Sequence, residues 1–375
     1  MSKLSHIPTS IFSEMSQLAN THGAINLAQG FPNFPVDERL LSITEKAIRD
    51  NVHQYTPMAG LPALLEEITA LTFEKYQRKI DPSQELLITA GATQGVFTII
   101  QSLVNAGDEV IILDPSYDSY EPSVIMANGN PIRISLNLDF SPNFEEIDRA
   151  ISSKTKLIVI NNPHNPTAKV WTEADFIQFD LLLEKHPHVL ILADEVYEYI
   201  NFIQTHISFN SRKNIIDRVI IVSSFGKSLH VTGWKVGYLI APEHLMKTIK
   251  KVHQFLVFSV SSLAQHVIAK YLQLVDFDDV SKMYETKKNL FAHSILGSAF
   301  EILPCEGTYF QLLKFDKISQ LSDVEFAKKL TIECGVAAIP ISVFYKNQID
   351  QKILRFCFAK TDETLIEAGK KLSNL

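Results

Sequence analysis

A chain of 375 residues, 46% of them hydrophobic, is longer than one apolar core usually organises and too apolar for intrinsic disorder, so two lobes are expected. With 35 basic residues against 42 acidic, a formal charge of −7 and no Lys/Arg block, it offers nucleic acid no basic face. No apolar run approaches the roughly 18 residues of a membrane span, and residues 1–15, with one lysine and no apolar centre, do not read as a secretory leader, so a cytoplasmic protein is expected.

The first forty residues are rich in turn formers and are expected to wrap around the molecule rather than form core. Beyond them, short apolar runs recur at Leu86–Thr89, Val110–Leu113, Leu157–Ile160, Val189–Leu192, Val219–Val222 and Tyr238–Ile240. Helix-like stretches such as Thr93–Val104, Glu173–Glu184 and Glu243–Val252 separate several of them. Near-continuous apolar strands alternating with amphipathic helices predict an α/β fold with a mostly parallel sheet covered on both faces. After about Asp276 the texture changes. A polar helix over Val280–Leu296 precedes strands near Glu301–Leu303 and Tyr309–Leu313, a helix at Asp323–Cys334 and a strand at Ile353–Phe358. That pattern predicts a smaller α+β lobe. The expected division is a large ligand-binding domain over residues 46–278, with residues 1–45 and 279–375 forming the small domain. The cysteines Cys305, Cys334 and Cys357 are too far apart for a zinc knuckle and read as reduced structural thiols. No metal site, Gly-x-Ser-x-Gly elbow or P-loop is found.

Ligands of open α/β sheets bind beyond the carboxyl ends of the strands, and five of these strands run directly into polar or turn residues. Gly91-Ala92-Thr93-Gln94 opens a helix whose first N–H groups suit a phosphate. Asp114-Pro115-Ser116-Tyr117, Asn161-Asn162-Pro163-His164-Asn165, Ala193-Asp194-Glu195-Val196-Tyr197 and Ser223-Ser224-Phe225-Gly226-Lys227 follow the others. Lys227 suits a Schiff-base nucleophile, since burial frees a lysine amine. Asp194 suits a cationic ring nitrogen, Tyr197 a ring oxygen and Tyr117 a π face, while Ser224 and Lys235 suit a phosphate. Together these describe pyridoxal phosphate. Each has a plainer reading, as a helix cap, a packed aromatic or a solvated charge; the combination carries the argument. Arg355 lies on a late apolar strand, where burying it unpaired would be costly, so a carboxylate partner is expected, from substrate or from a structural Asp or Glu.

These motifs, with Asn26-Leu27-Ala28-Gln29-Gly30-Phe31-Pro32, Gln54-Tyr55-Thr56, the continuation Asp118-Ser119-Tyr120, Asn165-Pro166-Thr167 and Arg355-Phe356-Cys357-Phe358, resemble the fold-type I, pyridoxal-phosphate-dependent aminotransferases of class I/II over essentially the whole chain. Pro304–Phe310 and Val336–Pro340 are similar to the subgroup holding bacterial methionine aminotransferases and related kynurenine aminotransferases. The resemblance implies that Lys227 condenses with the cofactor aldehyde and that Asp194 keeps the pyridine nitrogen protonated. It implies that Tyr197 and Asn165 bond the ring 3-oxygen, Tyr117 stacks on the ring, and Ala92, Thr93, Ser224 and Lys235 hold the phosphate. Tyr55 would reach that phosphate from a partner subunit, which makes the working unit a homodimer. Gly30, Asn165 and Arg355 would bind the substrate carboxylate, with Phe12, Phe31, Tyr309 and His230 near the side chain. The implied reaction moves the amino group of methionine, aromatic or other neutral amino acids to a 2-oxo acid in a ping-pong cycle. Kynurenine transamination or β-elimination from cysteine conjugates is the alternative. A non-catalytic sensor module is a remote one, disfavoured by Lys227 and by the lack of an N-terminal extension. Two positions depart from the family pattern: Lys235 replaces a common arginine, and Ala168 a common glycine, expected to be tolerated.

Overall fold

The computed structural model describes residues 3–5, 7 and 10–375, so the reading of residues 1–15 as no secretory leader falls partly outside it. Its centre is a seven-stranded sheet in the order Leu86–Thr89, Gly237–Ile240, Val219–Ser224, Leu190–Asp194, Thr155–Asn161, Glu109–Asp114 and Asn130–Ser135. Gly237–Ile240 runs antiparallel to both neighbours, and the remaining strands share one direction. The carboxyl ends of the polar-flanked strands therefore meet on one edge. Side chains alternate across each strand into two separate cores. Ile111, Ile158, Ile160, Ile191, Val219 and Ile221 enter one, and Val110, Ile112, Leu157, Val159, Ile220 and Val222 the other. That double burial is why these runs read as continuously apolar. The strand Asn130–Ser135 carries no such run. It lies at the sheet edge, where Pro131 costs no ladder bond and its burial is partial.

The C-terminal lobe holds a four-stranded sheet in the order Ile339–Pro340, Ile353–Cys357, Phe310–Lys314 and Glu301–Ile302, backed by the helices Phe277–Ser294 and Asp362–Leu372. The helix expected at Asp323–Cys334 is α-helical over Asp323–Lys329 and closes in a π turn, Leu330–Cys334, before Gly335 at φ 74°.

Two expectations change. The first forty residues do form core: the helix Ile11–His22 buries Met15 and Ala19, and Leu27 and Ala28 are fully enclosed in the small-lobe core. Ile25–Asn26 pairs in parallel with Val336–Ala337, three hundred residues along the chain. The lobe boundary also moves, because the helix Glu38–Arg49 sends Leu40 and Ala47 into the core of the large lobe. A start at residue 38 fits that packing better than one at 46. The three cysteines are free thiols. Among the described residues no helix is long and apolar enough to cross a membrane.

Candidate active site

A cavity of about 320 Å³ opens where the sheet edge meets the small lobe. Phe12, Gly30, Ala92, Thr93, Tyr117, Asn165, Asp194, Tyr197, Ser224, Lys227, Lys235 and Arg355 all line it, from elements spread along the whole chain. Four other sequence candidates do not, and one of them, Phe31, is half exposed with the Lys360 ammonium over its ring. Tyr309 is fully buried behind the wall, where its hydroxyl donates to the Gly30 carbonyl at 2.5 Å, and its neighbour Phe310 faces the cavity instead. The sequence reading placed Tyr309 beside the substrate side chain; at the start of the strand Phe310–Lys314 it is Phe310 that lines the cavity. Tyr55 is 81% exposed, its ring edge-on to Phe258. His230 packs edge-on against Phe34 and Tyr284, with no bond to its buried Nε2.

One end of the cavity is built from the start of the helix Gly91–Leu103. Its first residues pack directly on the neighbouring strand: a Cβ at Gly237 would lie 2.9 Å from the Ala92 nitrogen and 2.7 Å from the Ser223 carbonyl. Gly91 adopts φ 77°, and a Cβ there would meet the Lys235 ammonium at 3.1 Å. Lys235 is itself left-handed at φ 53°, which swings its side chain across the helix start. Ser224 caps the turn Phe225–Ser228 by accepting from Gly226 N–H. Helix N–H groups, a hydroxyl and an ammonium together make an anion site.

At the middle, Asp194 is 5% exposed and accepts from the Tyr120 hydroxyl at 2.6 Å. Burial pushes its carboxyl up to about 6, against the pull of that hydrogen bond. The next residue, Glu195, points away to His206 and the Phe209 N–H. Lys227 lies on the short helix Phe225–Ser228, with Nζ 3.5 Å from the Gly30 carbonyl. Burial brings its amine down to about 8; Cys357 and Asp194 oppose that shift, and Lys235 and Arg355 add to it. Tyr197 is pushed well above its ordinary range by burial, so its phenol stays a donor at working pH.

At the far end Arg355 is 1% exposed. The carboxylate partner expected for it is absent among the described residues. Nη1 donates to Asn165 Oδ1 at 2.6 Å, Nη2 reaches the Ala28 carbonyl at 3.5 Å, and the buried Nε has no partner. Phe12, Phe310 and Phe344 surround the guanidinium, their ring centres 5.2, 3.8 and 5.1 Å away. A buried guanidinium held this way is a receptor for a carboxylate brought by a ligand.

Sequence reasoning passed over two contributors. Asn161 donates to the Asp194 carbonyl at 2.9 Å and accepts from Asn165 N–H at 2.7 Å, tying two strand ends together. Tyr120 supports Asp194. Both stand in the motifs named above; what gives them a role is a partner 33 or 74 residues away. The substitution at Ala168 has a clear cost, since it sits at φ 61°, where glycine is unstrained. The turn is held by Ala168 N–H to the His164 carbonyl, and by Glu306 and Gly307 N–H to the Ala168 carbonyl.

The family model for aminotransferases of class I and II matches residues 22–372. Methionine aminotransferase of Escherichia coli (strain K12) is 42% identical over 384 residues, covering 100% of this chain and 98% of that protein. Kynurenine–oxoglutarate transaminase 3 of Rattus norvegicus is 33% identical, over 97% of this chain and 87% of its own length. The crystal structure of an Escherichia coli methionine aminotransferase is similar at a TM-score of 0.97 with 42% identity, covering 100% of this chain and 99% of that one. N-succinyldiaminopimelate aminotransferase from Mycobacterium tuberculosis follows at 0.96 with 31% identity, over 100% and 99%. Sequence and architecture agree across the full length, and the chain belongs to the class I and II aminotransferase family.

Proposed function

We propose that this aminotransferase-family chain uses pyridoxal phosphate to move the amino group of methionine, and next of aromatic and other uncharged amino acids, to a 2-oxo acid. The observation that carries the reading is a set of buried or cavity-lining charges with no ion-pair partner among the described residues. Lys235, Lys227 and Arg355 are cationic and Asp194 anionic, and all four line one cavity. A ligand set with a phosphate, an aldehyde, a cationic ring nitrogen and a carboxylate answers each of them, and pyridoxal phosphate plus an amino acid is such a set. Ala92, Thr93, Ser224 and Lys235 would hold the phosphate, Tyr117 would face the ring, and Asn165 and Tyr197 would meet its oxygen. When bound, the cofactor supplies an electron sink for the electron pair left on the substrate α-carbon.

The chain's own residues do the rest. Arg355 and Asn165, with the Gly30 backbone, hold the substrate carboxylate and so fix which α-bond is aligned for cleavage. Lys227 would take the α-proton as general base; an amine brought down to about 8 is free in a useful fraction at neutral pH. Asp194 would hold the cationic ring nitrogen, whose charge would offset the burial that otherwise raises its carboxyl. Phe12 and Phe310 cover Arg355 and keep water from it. The same residues run the second half-reaction with a 2-oxo acid.

The preference for uncharged side chains rests on that inventory. With a phosphate, an aldehyde and a substrate carboxylate in place, each cation lining the cavity would be taken up, and aromatic rings surround the carboxylate end. Kynurenine transamination is the second reading, favoured by the 33% identical relative. We also read the working unit as a homodimer of two-domain subunits. Tyr55, Phe255, Leu256 and Phe258 leave an exposed apolar patch, and Tyr55 projects from it. Lys227→Ala tests the core of the reading. The parent should show a visible cofactor band that borohydride removes and should turn over methionine, and the variant should do neither. Normal transamination by Lys227→Ala would refute it. Side-by-side kcat/KM values for methionine, phenylalanine and kynurenine separate the two substrate readings.

A further inference from the structure

The segment Leu27–Phe31 brings Gln29 and Gly30 to the cavity, and each of its five carbonyls accepts a hydrogen bond from the C-terminal part of the chain. Leu27 accepts from Cys357 N–H at 2.8 Å and Ala28 from Arg355 Nη2 at 3.5 Å. Gln29 accepts from Lys360 Nζ at 3.4 Å, Gly30 from the Tyr309 hydroxyl at 2.5 Å, and Phe31 from Lys360 Nζ again at 2.8 Å. Lys360 is the unusual member. It is 3% exposed, yet no carboxylate pairs with it among the described residues. Besides the two carbonyls, its ammonium meets only the Phe31 ring among the described residues, 4.7 Å from the centre. A buried ammonium satisfied by two peptide carbonyls is costly unless the position matters, because a carboxylate partner would hold it better. The two carbonyls it takes flank Gly30.

Gly30 is pinned from the other side as well. A Cβ there would lie 2.9 Å from the Phe310 ring, so the backbone passes hard against the cavity wall. With its carbonyl committed to Tyr309, the Gly30 N–H has no hydrogen-bond partner among the described residues. It lines the same cavity as Arg355, five residues before Lys360 on the same stretch of chain.

We propose that Lys360 is a positioning residue for substrate binding: by gripping the Gln29 and Phe31 carbonyls it fixes the Gly30 peptide so that its N–H meets the substrate carboxylate beside Arg355. Strand Ile353–Cys357 and its extension thus supply the guanidinium directly and the second donor at one remove. This rests on the reading that Gly30 and Arg355 take the carboxylate, and it predicts that the effect of Lys360 travels only through that group.

The test uses the cofactor-loaded enzyme and Lys360→Met, which keeps the stem and removes charge and donors. The KM for methionine should rise about ten-fold or more, with kcat and the cofactor's visible band little changed. Single-turnover reaction with 3-methylthiopropylamine, which has no carboxylate, should be as fast as in the parent. Lys360→Arg, which keeps a charged donor, should recover most of the lost affinity. An unchanged KM for methionine overturns the proposal, and so does an equal loss with the carboxylate-free amine. If Lys360→Met does not fold, Lys360→Gln is read by the same criteria. If neither folds, Lys360 is a folding residue and the proposal falls. Arg355→Lys separates the underlying reading: a normal KM there refutes the carboxylate site itself, whereas a raised KM there with a normal Lys360→Met refutes only the clamp.

Discussion

Asp194 carries a charge that the protein accommodates badly without its ligand, and the consequence can be measured. Replacing it in cofactor-free protein, as Asp194→Asn, keeps an acceptor for the Tyr120 hydroxyl and removes the charge. Burial raises the carboxyl from 3.8 to about 6, and each tenfold change in proton affinity is worth about 1.4 kcal/mol. A raised carboxyl favours the folded state while protonated, so its contribution is complete below the unfolded value and lost as pH rises through the folded one. The parent should therefore fall behind Asp194→Asn as pH rises, by about 1 kcal/mol near pH 4.5 and about 3 kcal/mol above pH 7. Urea unfolding of both proteins, stripped of pyridoxal phosphate, across pH 4.5 to 8 measures the difference directly. Loading the cofactor should reverse the order, since a cationic ring nitrogen then stabilises the parent carboxylate, while activity in the variant collapses. A stability difference that stays flat with pH would refute the argument, because it would mean that Asp194 is not strained by burial.

Two further outcomes follow from geometry. Gly237→Ala places a methyl 2.7 to 3.0 Å from backbone atoms of Ser223, Ala92 and Gly91. It should cost about 1–3 kcal/mol in urea unfolding and weaken retention of pyridoxal phosphate in dialysis; parental values for both would show that the helix start has room to shift. Tyr55→Ala and Lys227→Ala should each be poorly active alone but recover activity when refolded together, because one subunit of the mixed dimer then has an intact Lys227 and a partner's intact Tyr55. No recovery, with mixed dimers demonstrated, would place Tyr55 outside the neighbouring site.

Much of this molecule was legible one segment at a time. The apolar runs that form the central strands could be read because both faces of the sheet are buried, so the signal needs no alternation. The edge strand Asn130–Ser135 escaped because an edge needs neither continuous apolarity nor a free N–H at every residue. Lys227 and Asp194, where apolar strands end, and Arg355, within one, were recognisable as chemistry because charges in such places are costly without a purpose. The N-terminal segment was misread for the opposite reason. Prolines and turn residues describe its local path, while Met15, Leu27 and Ala28 are buried by partners from the other end of the chain. Lys360 was passed over altogether, since a lysine after a strand looks solvated until its two carbonyl partners are in place.

The amino-acid sequence alone thus determined the fold class, the strand positions and the kinds of group that collect beyond one sheet edge. Those follow from local rules of burial, periodicity and turn chemistry. Only the tertiary structure decided which member of each cluster faces the ligand. Asp194 turns inward and Glu195 outward, Phe310 faces the cavity and Tyr309 the carbonyl behind it, and Arg355 is left without a carboxylate. Adjacent side chains on extended backbone point to opposite sides, and which side becomes the cavity is set by contacts made hundreds of residues apart.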